Sequence, residues 1–374
     1  MTVTFVTSFF DLHTKNYKVE RTHNDYLNMF KQIPISEIPF LVIFTNKESI
    51  DFLSGLDEYF KINNLKYKII CVDLNDFITI ESFKNCLKPS YSRFTDEYLQ
   101  LSQCKIEFIK TAVDLNHFNT ELFAWIDFGL FHVSRATKLE MNQIVNSITK
   151  KLKLCITDVF DKVDLHDKKS FYSKFKCYAA GGFITGSKDN FIHFYNLYKN
   201  EFEIMRSFDI MGLEEQIFSI LVEEKSSIFD LYFGGYCGLL KNYNFYTRHD
   251  NFIIPFLCKC ADAQQYKKGA QFSLSLIKSL KTNKFIITNN KFMMDFLYRA
   301  QICAVYTSYN LPNNENLAVA LANVMHSLSI YKYHFNHLMG SNWEKNIEYT
   351  KYNNKMTLED FYSQYLYDIL YSIF

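Results

Sequence analysis

Asp127 stands at the abrupt end of an apolar run, Leu122-Phe123-Ala124-Trp125-Ile126, and is followed by Phe128 and Gly129. A carboxylate at a strand end can hold a hard divalent cation such as Mg2+ or Mn2+, which prefers oxygen ligands and can bridge phosphates. Such a cation offsets charge building on a leaving diphosphate. Gly129, without a Cβ, lets the backbone approach a ligand closely. The competing reading is an aspartate that caps the next helix.

The surrounding pattern supplies the elements that must hold this loop. Thr2–Thr7 is β-rich and runs into Ser8-Phe9-Phe10-Asp11, a strand followed by a loop. Tyr17–Phe30 has helical spacing. Pro39–Thr45 is a continuous apolar run, suited to a strand buried on both faces. Ser49–Tyr59 reads as a helix with Ser49 as its N-cap, and Tyr67–Leu74 as another buried strand. Tyr91–Val113 is mostly helical and precedes the Asp127 strand. This alternation is the signature of an α/β sheet with helices on both faces. In open α/β sheets ligands gather at the carboxyl ends of strands, where Asp127 falls.

Further along, Leu139–Leu152, Lys188–Phe208 and Glu214–Val222 read as helices, and Tyr178–Thr185 as a small-residue strand or turn. Beyond about Pro255 the periodicity is helical, over Gln264–Leu280, Asn290–Tyr309, Asn314–Leu338 and Leu358–Phe374. We divide the chain into a sheet domain, 1–255, and a helical C-terminal region, 256–374.

The 374 residues carry a formal net charge of +1, so no global field draws the chain to nucleic acid or an anionic membrane. The nine cysteines are odd in number and mostly sit in apolar runs, which argues for free thiols in a reducing, cytoplasmic-type compartment. No stretch approaches the roughly 20 apolar residues of a membrane span. Cys258 and Cys260 lack a second pair at zinc spacing, and His334 with His337 lacks a third ligand, so both pairs read as structural.

Val3–Asp11, Arg21 with Tyr26, Pro39–Thr45 and Phe123–Gly129 resemble the HtrL/YibB family, and the strand-helix alternation, the Asp127 loop, the later Gly181-Gly182-Phe183-Ile184-Thr185-Gly186 and the acidic pair before a helix carry a wider likeness. The wider likeness is to nucleotide-sugar glycosyltransferases of the GT-A fold. It covers roughly residues 1–251. The resemblance implies a GT-A-like, Rossmann-like mixed sheet flanked by helices, with a helical C-terminal part. It also implies transfer of a hexose, galactose or glucose preferred, from a UDP-sugar to a glycan or lipid-linked glycan acceptor. The family includes proteins tied to bacterial lipopolysaccharide and lipooligosaccharide synthesis.

On that resemblance Thr7, Ser8, Phe9, Phe10 and Asp11 face the nucleotide, with Phe9 or Phe10 stacking on the base unless core packing claims them. Arg21 and Lys110 contact the diphosphate, for which a guanidinium is geometrically suited. Trp125, Ile126, Asp127 and Gly129 form the metal-diphosphate loop, and Gly181 and Gly182 let main-chain groups approach the donor sugar. The usual Asp-x-Asp metal motif is here Asp127-Phe128-Gly129, one carboxylate short. His249 is the expected second ligand for Mn2+ or Mg2+. Glu214 or Glu215 is the general base of an inverting displacement, with a retaining mechanism as the alternative, although acids in a helix's first turn are also favoured by its dipole.

Two other readings compete. A non-catalytic protein of this architecture, binding a partner through its helical C-terminal region, would explain the missing carboxylate. A sugar nucleotidyltransferase is disfavoured by the absence of an N-terminal Gly-rich signature bearing Lys or Arg.

Overall fold

The computed structural model describes residues 2–12, 22–89, 95–244 and 252–281. The chain divides into two units, 1–244 and 245–374. The first holds seven strands: β1 (Val3–Ser8), β2 (Phe40–Thr45), β3 (Lys66–Cys71), β4 (Leu122–Ile126), β5 (Leu152–Ile156), β6 (Ala179–Ser187) and β7 (Phe229–Phe233). They form one sheet in the order β3-β2-β1-β4-β6-β5-β7. All pairings are parallel except those of β6, which runs antiparallel to both β4 and β5. The fold is therefore a mixed, Rossmann-like α/β sheet of the expected class.

Helices of this unit are α1 (His23–Lys31), α2 (Lys47–Ser54), α3 (Asp57–Ile62), α4 (Asp96–Gln103), α5 (Lys105–Leu115), α6 (Lys138–Ser147), α7 (Lys162–His166), α8 (Lys168–Ser173), α9 (Lys188–Ser207) and α10 (Glu214–Glu224). In the second unit the described helices are α11 (Ile253–Asp262) and α12 (Tyr266–Lys281). The helices expected over Asn290–Tyr309, Asn314–Leu338 and Leu358–Phe374 lie outside the described residues. No helix of the described residues is long and apolar enough to cross a membrane.

Both sheet faces are covered, which is why the central strands read as unbroken apolar runs. On one face Phe5, Leu41, Ile43 and Ala124 pack with Phe30, Leu53, Phe60 and Met141 from α1, α2, α3 and α6. On the other, α5 lies against β1 and β4, and α10 against β6. There Phe108 stacks on Phe10, Phe44 and Trp125, with centroids 5.6, 5.0 and 6.4 Å away. Truncating so well packed a ring costs about 3–5 kcal/mol.

Local differences from the sequence reading have local causes. The segment Ser49–Tyr59 is two helices rather than one, parted at Gly55, and the cap is Asn46, whose Oδ1 accepts the Ser49 N–H. The helix from Lys138 stops at Ser147, where Ile148 is already extended, and Leu152 opens β5. Of Tyr178–Thr185, the residues from Ala179 on belong to a nine-residue strand buried throughout.

Candidate active site

The parallel strands end together at one edge of the sheet, and β6 begins there because it runs the other way. The register Val6↔Trp125 carries Thr7 and Ser8 alongside Ile126 and Asp127. The pairing Ile126↔Phe183 brings Gly181 and Gly182 past the end of β4. The Asp127 N–H donates to the Gly182 carbonyl at 2.9 Å, which fixes the loop where the strand ends.

Lys105 is the hub of this edge. It opens α5, and its side chain is 9% exposed. Its ammonium donates to Glu214 Oε1 at 2.6 Å and to the Gly181 carbonyl at 3.1 Å, and lies 3.0 Å from Asp127 Oδ1. Two of its three protons thus have hydrogen-bond acceptors, and the Asp127 carboxylate adds an ion pair. Trp125 Nε1 donates to the same Asp127 oxygen at 2.6 Å. Lys105 also sits 5.6 Å from the Trp125 ring centre. Burial pulls the Lys105 pKa down, but the carboxylates of Asp127 and Glu214 outweigh it and leave it above the ordinary lysine value.

Gly181 exists to admit this hub. A Cβ there would stand 2.8 Å from Glu214 Oε1 and 3.1 Å from Lys105 Nζ. At Gly182 a Cβ would press on Leu130 and Leu239 at 3.1 and 3.2 Å. The two glycines therefore make room for protein side chains at the end of β4.

Glu214 and Glu215 open α10 side by side but have different surroundings. Glu214 is buried and paired with Lys105. Glu215 is half-buried; its Oε1 accepts the Gly181 N–H at 2.7 Å and its Oε2 the Tyr236 hydroxyl at 2.5 Å. Its pKa is pushed up to about 7, first by burial and then by Glu214, against the downward pull of Tyr236, Gly181 and Lys105. The Tyr98 phenol, on α4, is likewise pushed up, by burial and then by Glu214.

The first-strand loop is built differently from the expectation. Phe9 and Phe10 are each 6% exposed. Phe9 packs on Phe52 and Phe128 at 4.9 and 4.8 Å, and Phe10 stacks on Phe108. Their faces are taken by core rings, so neither presents a free face to a base. Thr7 is fully buried, and its Oγ1 has no hydrogen-bond partner among the described residues. Ser8 is half-buried at the end of β1. The Asp11 N–H donates to Ser49 Oγ at 2.7 Å, and its carboxylate lies 2.8 Å from His23 Nε2.

Lys110, expected at the diphosphate, pairs with Asp114 one turn along α5 and lies over the Tyr195 ring at 5.6 Å. Helical phase explains the correction: Lys105 shares the buried stripe of Phe108, Ile109 and Ala112, and Lys110 does not. A lysine on an apolar stripe was the signal that could have singled out Lys105. Tyr236 carries no comparable sequence signal. Ile126 is core, and Gly129 lies against the Tyr26 ring, where a Cβ would come within 3.2 Å. Arg21 and His249 lie outside the described residues.

For a divalent cation the described donor set offers Asp127 Oδ2. Its sister oxygen is engaged by Trp125 and Lys105, while Oδ2 lies over Gly182 and accepts no hydrogen bond among the described residues. The Asp127 side chain is 40% exposed. One open carboxylate oxygen fits the way Mg2+ is commonly held, by one or two carboxylates plus substrate phosphates and water. Among the described residues no group of three or more His, Cys, Asp or Glu is arranged to hold a metal by itself.

A family model described as "Bacterial protein of unknown function (HtrL_YibB)" matches residues 1–244. Protein HtrL of Escherichia coli (strain K12) is 24% identical over 260 residues, covering 62% of this chain and 88% of that protein. Among solved structures, mouse xyloside xylosyltransferase 1 in its apo form aligns with a TM-score of 0.37 at 10% identity, over 62% of this chain and 85% of that one. A Bacillus anthracis protein described as a glucose-1-phosphate thymidylyltransferase, in complex with sucrose, aligns with a TM-score of 0.35 at 10% identity, over 63% and 87%.

Proposed function

This chain belongs to the HtrL_YibB family, and we propose that it is a nucleotide-sugar-dependent glycosyltransferase whose general base is Glu215. The donor we assign is a UDP-hexose, galactose or glucose, and the acceptor a hydroxyl of a glycan or lipid-linked glycan. The observation that carries this reading is the division of labour between the two adjacent acids. Glu214 is consumed by Lys105, while Glu215 stays partly open with its pKa near 7. Neighbouring carboxyl groups driven into different environments mark an acid-base site.

The chemistry follows from these positions. Glu215 takes the proton of the acceptor hydroxyl as its oxygen attacks the anomeric carbon from the face opposite the leaving group, inverting the configuration. Lys105 and Trp125 hold Asp127 by one oxygen and leave the other over Gly182. A Mn2+ or Mg2+ ion held by Asp127 would offset charge on the departing diphosphate. Thr7 and Ser8, beside Asp127 at the same edge, are the remaining candidates for the nucleotide side.

A thermal-shift series with UDP, GDP and CMP, each with and without Mn2+, tests this reading. Stabilisation by UDP that grows with Mn2+ and is lost in Asp127→Asn supports it. No stabilisation by any of the three rejects it.

A further inference from the structure

Tyr236 is 41% exposed, yet it is held at both ends. Its hydroxyl donates to Glu215 Oε2. Its backbone lies in a turn tied by Gly234 N–H to the Ile156 carbonyl at 3.1 Å, Gly238 N–H to the Gly235 carbonyl at 2.7 Å and the Tyr232 hydroxyl to the Leu239 carbonyl at 2.8 Å. Ser134 Oγ closes the turn from outside, donating to the Cys237 carbonyl at 3.2 Å. The ring is therefore fixed while much of the residue faces solvent. The ground beside it is open, since a Cβ on Gly235 would meet nothing within 4 Å.

An aromatic ring left uncovered forgoes the gain of burying its apolar face. Fixing it adds a cost in rotamer freedom. Here that partly exposed tyrosine adjoins a carboxylate that still has lone pairs to accept hydrogen bonds. A pyranose matches both surfaces at once: a C–H face for the ring and a hydroxyl rim for the carboxylate. We propose that Tyr236 is the acceptor platform of this site, on which a pyranose of the acceptor packs its C–H face while one hydroxyl meets Glu215.

This inference rests on the transferase reading for its consequence in turnover. The acceptor proton passes to Glu215, the new oxygen–carbon bond forms at the anomeric carbon, and the bond from that carbon to the phosphate oxygen breaks. The electron pair leaves with the nucleoside diphosphate.

The test uses the full chain as wild type, Tyr236→Phe and Tyr236→Ala. Saturation-transfer NMR with methyl β-D-galactopyranoside and methyl β-D-glucopyranoside reads sugar binding, and calorimetry reads UDP binding. Tyr236→Ala is expected to weaken glycoside binding by about tenfold, with UDP affinity unchanged. Tyr236→Phe keeps the ring and is expected to keep glycoside binding within about threefold. Its loss of the hydrogen bond to Glu215 moves the acid limb of kcat/KM to higher pH. Absence of glycoside binding to the wild type, or equal binding by wild type and Tyr236→Ala, overturns the platform. UDP binding without glycoside binding rejects the platform alone, and glycoside binding without UDP binding rejects the transferase reading alone.

Discussion

Lys105 Nζ lies 2.6 Å from Glu214 Oε1, joining the start of α5 to the start of α10 across the end of the sheet, with the two side chains 9% and 6% exposed. The same ammonium reaches Asp127, so one cation sets the position of two acids from different elements.

Lys105→Met should therefore be strongly destabilising. It leaves Glu214 buried without its countercharge, for which the expected loss is about 3–5 kcal/mol. Urea denaturation measures it. The double variant Lys105→Met with Glu214→Gln should recover much of the loss, because the uncompensated charge is gone; a double variant as weak as the single would contradict this account.

Gly181→Ala should act at the same place from the opposite side. Its Cβ must displace Glu214 Oε1 and Lys105 Nζ, at 2.8 and 3.1 Å. Overpacking of this kind costs about 1–3 kcal/mol. The loss should shrink when Gly181→Ala is made in the Lys105→Met background, a coupling that a double-mutant cycle reads directly.

Glu215 supplies a pH signature. Its pKa in the folded chain is about 7, above the ordinary carboxyl value of 4.5. A raised carboxyl pKa means that the folded state holds the proton more tightly than the unfolded one. The stabilisation is complete below about pH 4.5 and is lost as pH rises through about 7. Glu215→Gln lacks this loss, so its melting temperature relative to wild type should rise between pH 5 and pH 8. The gain is bounded by about 3 kcal/mol. A pH-independent difference would refute the assignment.

Asp127→Asn should leave the fold intact, since its Oδ1 can still accept from Trp125 and Lys105 keeps Glu214 and the Gly181 carbonyl. It should weaken Mn2+-dependent UDP binding by about tenfold or more, read by calorimetry with and without the ion. Equal affinity in wild type and variant would remove Asp127 from the metal-binding role.

The end of β4, with Asp127 just beyond it, was legible because an unbroken apolar run stops there on a carboxylate, and the central strands read well because burial on both faces leaves unbroken apolar runs; β3, expected as a buried strand, is instead partly exposed along its length because it lies at the end of the sheet. The antiparallel β6 was less so: Ala179–Ser187 is small-residue sequence whose glycines fit both a turn and a strand. Lys105 was missed because its signal lies in helical phase, and the choice between base stacking and core packing for Phe9 or Phe10 stayed open because a Phe at a strand end reads alike whether it faces a ligand or Phe108. Which of Glu214 and Glu215 stays open depends on Lys105, more than a hundred residues earlier in the chain, and on Tyr236, from a turn beyond β7. Pairings over such distances leave no local pattern.

The most direct measurement is release of UDP from UDP-galactose and UDP-glucose by wild type and Glu215→Gln, with Mn2+ and methyl β-D-galactopyranoside or methyl β-D-glucopyranoside as acceptor, across pH 5–9. The account predicts turnover by the wild type that rises through a midpoint near pH 7 and a loss of about 100-fold or more in Glu215→Gln. No UDP release by the wild type, or equal release by the two proteins, would contradict it.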